Sequence, residues 1–426
     1  GLIYFPLDGA RLRFLGGTTN HWHGQSMPLE PVDFDRRDWV PDSGGPIGYA
    51  EVRRYLPRAE MLCKLTIAEA GPDVWDLGPG MPAFPLADGG FEPVVIRYPQ
   101  GDFSFGVVYR RALARAERLR CVLNANAVGF ETEGDGQRLS RVQLRSLSGK
   151  TATLEADRFV LAAGGIENVR LLLHGATEDG ATRPMGAAPD LIGRYFMEHP
   201  NYDTGSVEIV PDPYLSSPFR QAGSQRLRLD LRLDPGLQAE YGILNHSVFL
   251  LLERAPQPGR IGRLWNRLSE RATGPAARTG RLRVRLEHAP YADSRITLTD
   301  ETDPLGMRRV ALDMRIGELE TRTIERVCEE FARALGIADL GRMQINFDPS
   351  DPAWVDDLGW QYHHCGGTRM SDSSSTGVVD RNCRMQGMDN LYVAGGGVFP
   401  TCGHANPTMN LLALSIRLAD HLQETA

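Results

Sequence analysis

Three stretches of this chain concentrate residue types suited to proton and electron chemistry. The first is Tyr362-His-His-Cys-Gly-Gly-Thr-Arg-Met370, a histidine pair between an aromatic residue and two glycines. Histidine is the usual general base near neutral pH, because its unperturbed pKa is near ~6.5. His363 is therefore a candidate base, and a buried, satisfied histidine is the plain alternative. The second stretch runs Asn390-Leu-Tyr-Val-Ala-Gly-Gly-Gly-Val-Phe-Pro-Thr-Cys-Gly-His-Ala-Asn-Pro-Thr408. Glycines after a strand let backbone approach a ligand closely. Asn406 puts a polar side chain at a helix start, where free N–H groups and the positive dipole end favour negative charge. The third is Arg11-Leu-Arg-Phe-Leu-Gly-Gly-Thr-Thr-Asn-His-Trp-His-Gly24. It reads as a loop of donors on flexible backbone, built for ligand contact or for a simple surface turn. His21 and His23 have no carboxylate or third histidine nearby, a poor ligand set, and no metal is expected.

The elements that must position these stretches follow from periodicity. Leu391 to Ala394 reads as a short buried strand, with a helix from Met409 onward. Phe159-Val-Leu-Ala-Ala-Gly-Gly-Ile-Glu-Asn is an apolar strand, a glycine turn and a helix, the βα turn of a doubly wound sheet. Tyr49 to Ala68 and Ser104 to Arg120 read as helices, the latter with a basic solvated face. Cys121 to Glu131, Arg141 to Ser146 and Thr151 to Ala156 read as strands. Strand-like pieces crowd residues 204–316, with Trp265 to Ala277 between them as loop or short helix. Glu318 to Leu335 is an amphipathic helix ended by Gly336.

Bulk properties exclude several classes. At 426 residues the chain has room for more than one domain. Its 47 basic and 54 acidic residues leave a formal charge of −7, which gives no basic footprint for nucleic acid. No apolar run approaches the ~20 residues of a membrane span. The six cysteines are scattered without a CxxC pair, which points to a reducing compartment and a cytoplasmic location.

Taken in order, the stretches resemble one family, the FAD-dependent glucose–methanol–choline (GMC) oxidoreductases. The resemblance covers nearly the whole chain and includes Gly193-Arg-Tyr-Phe-Met-Glu-His-Pro200. The histidine–tryptophan loop and the Ala-Asn-Pro-Thr ending look most like the pyranose oxidase and the fructose and choline dehydrogenase branches. The resemblance implies an α/β fold: a discontinuous Rossmann-like FAD-binding domain with an inserted, sheet-rich α+β substrate domain. The implied division is 1–200 (with substrate-domain excursions around 40–100) and 351–426 for FAD, and 201–350 for substrate.

It further implies oxidation of an alcohol group of a sugar or other polyol, with hydride passing to flavin N5 and then to oxygen or another carrier. His363 and Asn406 match the family's catalytic pair; since an amide does not usefully take a proton, His363 is the base. Gly16, Gly17, Thr18 and Asn20 are expected to line the isoalloxazine, and Val128 to meet the adenine. Gly164, Gly395, Gly396 and Val398 would lie along the cofactor, with Pro407 and Thr408 at its flavin end. His21 matches the position that carries a covalent flavin bond in some relatives and none in others. His364 and His404 are candidate substrate contacts. Glu240, Glu253, Asp300, Glu301 and Asp303 hint at an amino sugar. One departure is large: the Gly-x-Gly-x-x-Gly unit that opens the family's fold has no match, so a preceding segment or a second chain is expected to complete the FAD site. A lyase that keeps FAD structurally and a cofactor-free scaffold are the alternative readings.

Overall fold

The computed structural model describes residues 2–65, 83–101, 103–178, 181–216, 218–222, 225–253 and 277–425. The stretch Trp265 to Ala277, expected to be loop or short helix, lies almost wholly outside them.

The largest sheet among the described residues has seven strands. Its path runs Phe91–Tyr98, Gln225–Leu233, His246–Leu252, Arg278–Leu286, Asn201–Ile209 and Gly341–Ile345, and Phe219–Ala222 pairs off this path with Gln225–Leu233. All pairings are antiparallel, so adjacent residues face opposite sides. Leu227, Leu229, Leu231, Val248, Leu250, Leu282, Val284 and Val207 share a core with Ile324, Val327, Phe331 and Leu335 of the Glu318–Ile337 helix. The alternate residues are polar. Arg228 grips Asp230 through two hydrogen bonds of 2.7 Å, and the guanidiniums of Arg228 and Arg285 lie 4.9 and 5.7 Å from the Phe249 ring. This alternation puts a greasy face against the helix and a charged face toward the candidate site.

On the other side, Leu391–Val393 pairs in parallel with Phe159–Leu161, Leu391 opposite Phe159. Each strand leads through glycines to a helix, Gly165–His174 and Pro407–Glu424. Asn168 ties the two turns together: its Oδ1 accepts from the Ala163 amide at 2.8 Å and its Nδ2 donates to the Ala394 carbonyl at 3.0 Å. A five-stranded sheet of Asn126–Glu133, Arg138–Arg145, Thr151–Glu155, Ala176–Glu178 and Ala181–Arg183 packs alongside.

Three local expectations are corrected. Tyr49 to Ala68 is two short helices, Tyr49–Arg53 and Leu56–Leu62, because Pro57 lacks the amide needed to continue the first turn; residues 66–68 are outside the described set. Ser104 to Arg120 forms only Phe105–Val108 and Arg110–Arg115, since its arginine-rich surface has no apolar stripe to bury. The strand from Cys121 begins at Asn126, because Asn124 takes a left-handed turn at φ 58° and breaks the extended run.

Candidate active site

The site is assembled by two backbone segments running side by side. Met197 and Cys365 exchange hydrogen bonds of 2.9 and 3.0 Å, and Asn201 and Gly359 exchange another pair of 2.8 and 2.9 Å. Between these bridges the chain carrying His363 bulges, with Tyr362 left-handed at φ 61°. That strained turn is clamped from beneath by Glu198. Its carboxylate accepts from the backbone amides of Gln361 (2.8 Å), Tyr362 (3.0 Å), His363 (2.6 Å) and His199 (3.0 Å). Burial pushes the Glu198 carboxyl up to about 7, and the four amides pull it back toward the charged form.

Glycines lock the other motifs onto this loop. A Cβ on Gly165 would sit 2.7 Å from the His364 carbonyl oxygen, and one on Gly396 would sit 2.9 Å from it. The amides of Gly366, Thr368 and Met370 donate to the carbonyls of Gly396, Gly397 and Val398. The base loop therefore lies along the turn after Leu391–Val393, as close as backbone atoms allow.

His363 and Asn406 meet directly: Asn406 Nδ2 is 3.1 Å from His363 Nε2. Asn406 is the residue before the first turn of the Pro407–Glu424 helix. On its far side the ring of His363 meets His199, Nδ1 to Nδ1, at 2.8 Å, and His199 Nε2 lies 2.8 Å from the Gly403 carbonyl. Arg285 Nη1 donates to Asn406 Oδ1 at 3.2 Å, and its Nη2 is 3.4 Å from Gln25 Oε1. Arg285 is buried and forms no ion pair among the described residues. His363 is held well below the ordinary imidazole value, first by burial, then by the positive groups of His199, Arg285, His364 and His23. Burial takes His199 down to about 3. A neutral imidazole with a lone pair facing an amide donor is a base ready to receive a hydroxyl proton.

Glu198, His199 and His363 lie close enough to share a cation. Their lone pairs are already spent on backbone amides and on one another, so the cluster is a hydrogen-bond device.

The other sequence candidates separate into several groups. Gly164 (φ 94°) and Gly395 (φ 119°) end the two parallel strands, and a Cβ on either would meet no atom within 4 Å. A Cβ on Gly17 would meet only the Leu12 carbonyl oxygen, at 3.8 Å, an ordinary contact. Gly16 is spent on packing, since a Cβ there would lie 2.5 Å from the Gly106 amide. The Asn20 side chain holds its own turn through the Leu15 and Gly17 carbonyls, and Thr18 Oγ1 accepts from the Leu12 amide. His21 is exposed, while Trp22 is anchored to the Phe103 carbonyl. Val128 is half-buried in its strand, Val398 and Pro407 are buried, and Thr408 is half-buried in the helix's first turn. His364 turns away from Asn406 and meets the Tyr4 hydroxyl at 3.0 Å. His404 is fully buried with neither ring nitrogen hydrogen-bonded. Glu240, Glu253, Asp300 and Glu301 point to solvent and Asp303 pairs with Arg170, so these acids do not converge on the site. Sequence reasoning missed Glu198, His199 and Arg285. The resemblance over Gly193-Arg-Tyr-Phe-Met-Glu-His-Pro200 is the available signal for the first two; Arg285 is one of three alternating arginines in a strand and carries none.

The C-terminal region, residues 290–415, matches the family model described as GMC oxidoreductase. Across 465 aligned residues the chain is 24% identical to the fructose dehydrogenase large subunit of Gluconobacter japonicus, covering 96% of this chain and 80% of that protein. It is 25% identical to paromamine 6'-oxidase of Streptomyces fradiae, covering 95% and 77%. Among solved structures it superimposes on pyridoxine 4-oxidase from Mesorbium loti with a TM-score of 0.56 at 16% identity, over 97% of this chain and 88% of that one. These likenesses support an alcohol oxidoreductase built on an α/β scaffold with a sheet-rich domain. Its C-terminal region thus matches the GMC oxidoreductase family, and the relatives that align over most of its length carry oxidase and dehydrogenase names.

Proposed function

We propose that this protein oxidises a hydroxyl group of a sugar or other polyol to a carbonyl, with His363 as base and Asn406 as its partner. The observation that carries the reading is the 3.1 Å contact between His363 Nε2 and Asn406 Nδ2 at a helix start. A substrate hydroxyl that displaces this contact donates its proton to Nε2 and accepts a hydrogen bond from Nδ2. The nascent alkoxide then sits beside the Asn406 amide and the positive end of the helix dipole, both of which stabilise its charge. An alkoxide expels hydride from its carbinol carbon far more readily than a neutral alcohol does. FAD, once bound, supplies the two-electron acceptor for that hydride.

The residues present fit that cofactor. The turns at Gly164 and Gly395 offer backbone with open space where side chains would project, and Gly164 stands directly before the N-terminus of the Gly165–His174 helix, which suits a diphosphate. Val128, Gly17, Pro407 and Thr408 are the remaining contacts we assign to it, with Gly16, Asn20, Gly396 and Val398 shaping the backbone around it. The exposed His21 is chemically available for a covalent bond; acid denaturation that leaves flavin on the precipitated protein supports it, and full release dismisses it.

Fructose and paromamine are the compounds named for the two relatives, and both are hydroxyl-rich. The buried, unpaired charge of Arg285 next to Asn406 opposes an ammonium at the reacting end, so we place any amino group of the substrate away from the carbon being oxidised. The unpaired state of all six cysteines supports a reducing, cytoplasmic setting. Anaerobic addition of sugars, aminoglycosides and simple alcohols to the flavin-loaded protein tests the reading. Bleaching of the flavin by a polyol is expected, and cleavage of a cyanohydrin without bleaching overturns it.

A further inference from the structure

The hydrogen bonds around His363 form one unbroken chain with chemically fixed ends. It runs from Arg285 Nη1 to Asn406 Oδ1, from Asn406 Nδ2 to His363 Nε2, from His363 Nδ1 to His199 Nδ1, and from His199 Nε2 to the Gly403 carbonyl. A guanidinium only donates and a carbonyl only accepts. With the proton placed on His199 Nε2 for Gly403, the Nδ1 of a neutral His199 is bare and must accept. His363 then carries its proton on Nδ1 and its lone pair on Nε2. That lone pair accepts from the Asn406 amide, whose oxygen is the atom facing Arg285. For two neutral imidazoles this is the only arrangement that satisfies all four contacts.

We propose that His199 and Arg285 are positioning residues that fix the form of the base: His199 holds His363 as the Nδ1–H tautomer, and Arg285 holds the Asn406 amide with its nitrogen toward the substrate. The proposal rests on His363 acting as the base. Neither residue needs to touch the reacting carbon. The opposite tautomer would put a proton where the substrate's proton must go, and a flipped amide would put an oxygen lone pair against the nascent alkoxide. After proton uptake at Nε2, the Nδ1–H of the imidazolium still donates to His199, while the Asn406 Nδ2–H, its acceptor at Nε2 now protonated, donates to the alkoxide oxygen instead.

Burial supports the argument. His199 and Arg285 are enclosed by protein, so solvent does not compete for their hydrogen bonds. Arg285 is steered by the sheet, where it lies opposite Ser247 and Asn201 on the polar face. His199 is steered by its neighbours in sequence: Glu198 clamps the base loop, and the Asn201–Gly359 bridge fixes the following backbone. The groups facing His363 are His199, His364, His23, Arg285 and the carboxylate of Glu198, which accepts from its backbone amide.

The test begins with the tautomer, which is read without turnover. In protein labelled with 15N-histidine, with the flavin bound, long-range proton–nitrogen spectra at neutral pH are expected to show His363 protonated at Nδ1 and bare at Nε2, assigned by loss of the signal in His363→Gln. A His363 protonated at Nε2 overturns the proposal, even if the protein oxidises alcohols. Conversely, an inert protein with the Nδ1–H form leaves the proposal standing and removes the proposed activity. In kinetics, His199→Phe is expected to lower kcat for flavin reduction at least ~100-fold with KM little changed, the range for a lost base or tautomer-holding partner. His199→Asn keeps an acceptor oxygen where Nδ1 stood and is expected to restore most of the rate. Equal rates in both variants overturn the role of His199. Arg285→Met is expected to shift the acid limb of the pH–rate profile to higher pH, because a positive charge near His363 is gone, while Arg285→Lys leaves it in place. An unmoved limb in Arg285→Met overturns the role of Arg285. A variant that fails to fold is replaced as evidence by the wild-type spectrum.

Discussion

Both ring nitrogens of His363, both amide atoms of Asn406 and both carboxylate oxygens of Glu198 have fixed partners, whereas a side-chain carbon on Gly164 or Gly395 would meet no atom within 4 Å. The two halves of the site thus solve different problems. The base side must hold a lone pair in one place and one protonation form, so it is saturated with directional bonds to buried groups. The side we propose for the cofactor must leave room for a large ligand, so it presents glycines, a helix N-terminus and backbone. Damage to the first should appear as lost chemistry with the ligand still bound. Damage to the second should appear as a lost ligand with the protein still folded.

The largest effect is expected from Glu198→Ala. It leaves four loop amides without their acceptor, each at a cost of about 1–3 kcal/mol, and releases the strained Tyr362 turn. Flavin reduction is expected to vanish and Tm to fall by several degrees; wild-type turnover would break the view of the base side as a clamped device. Next, His363→Ala should slow reduction by alcohol at least ~100-fold with the flavin spectrum intact. Loss of bound flavin along with the rate would blur the division between the halves.

Gly395→Val is the reciprocal experiment. Its φ of 119° disfavours a side chain, at roughly 1–2 kcal/mol, and the side chain would project into the open turn. Flavin content of the purified protein should fall severalfold while its circular dichroism is retained. Unchanged flavin content would place the cofactor elsewhere.

The smallest effect is in the pH dependence of stability. Burial lowers His199, His246, His364 and His404 to about 3 and His288 to about 4, from an ordinary 6.5, and lowers His363 as well. The unfolded chain binds protons that these histidines refuse, so they cost stability as pH falls below 6.5. Asp33, Glu198 and Glu320, raised by burial to about 7, act in the opposite sense, losing stability as pH rises from their ordinary values toward 7. Below an ordinary carboxyl value of 4.5 the histidines act unopposed by the two glutamates. Tm should therefore drop most steeply between about 4.5 and about 3, and a flat profile there would show the base side to be wetter than its packing implies.

Legibility in the sequence followed the same division. The glycine turns, the Glu318–Ile337 helix and most of the sheet strands show as local patterns, with edges moved by up to five residues, whereas Phe91–Tyr98 and Gly341–Ile345, two strands of the large sheet, went unrecognised. The helices expected over Tyr49 to Ala68 and Ser104 to Arg120 did not survive, because Pro57 and the lack of a buried stripe outweighed periodicity. His363 and Asn406 stood out because histidine and asparagine beside glycine turns are unusual residue types in unusual places. Glu198 and His199 were visible but mute, since nothing local says that a carboxylate will collect amides from a loop more than 160 positions later.

By itself, the sequence singled out the histidine and asparagine proposed as base and partner and pointed to the family and the class of chemistry, since these depend on residue types at fixed short spacing. The tertiary structure decided how the base is held. Arg285 approaches from the inserted sheet, His199 and Glu198 from the segment before it, and Gly403 from the loop before the last helix. A hydrogen bond acts over about 3 Å, and only the folded chain brings residues so far apart in sequence within that distance.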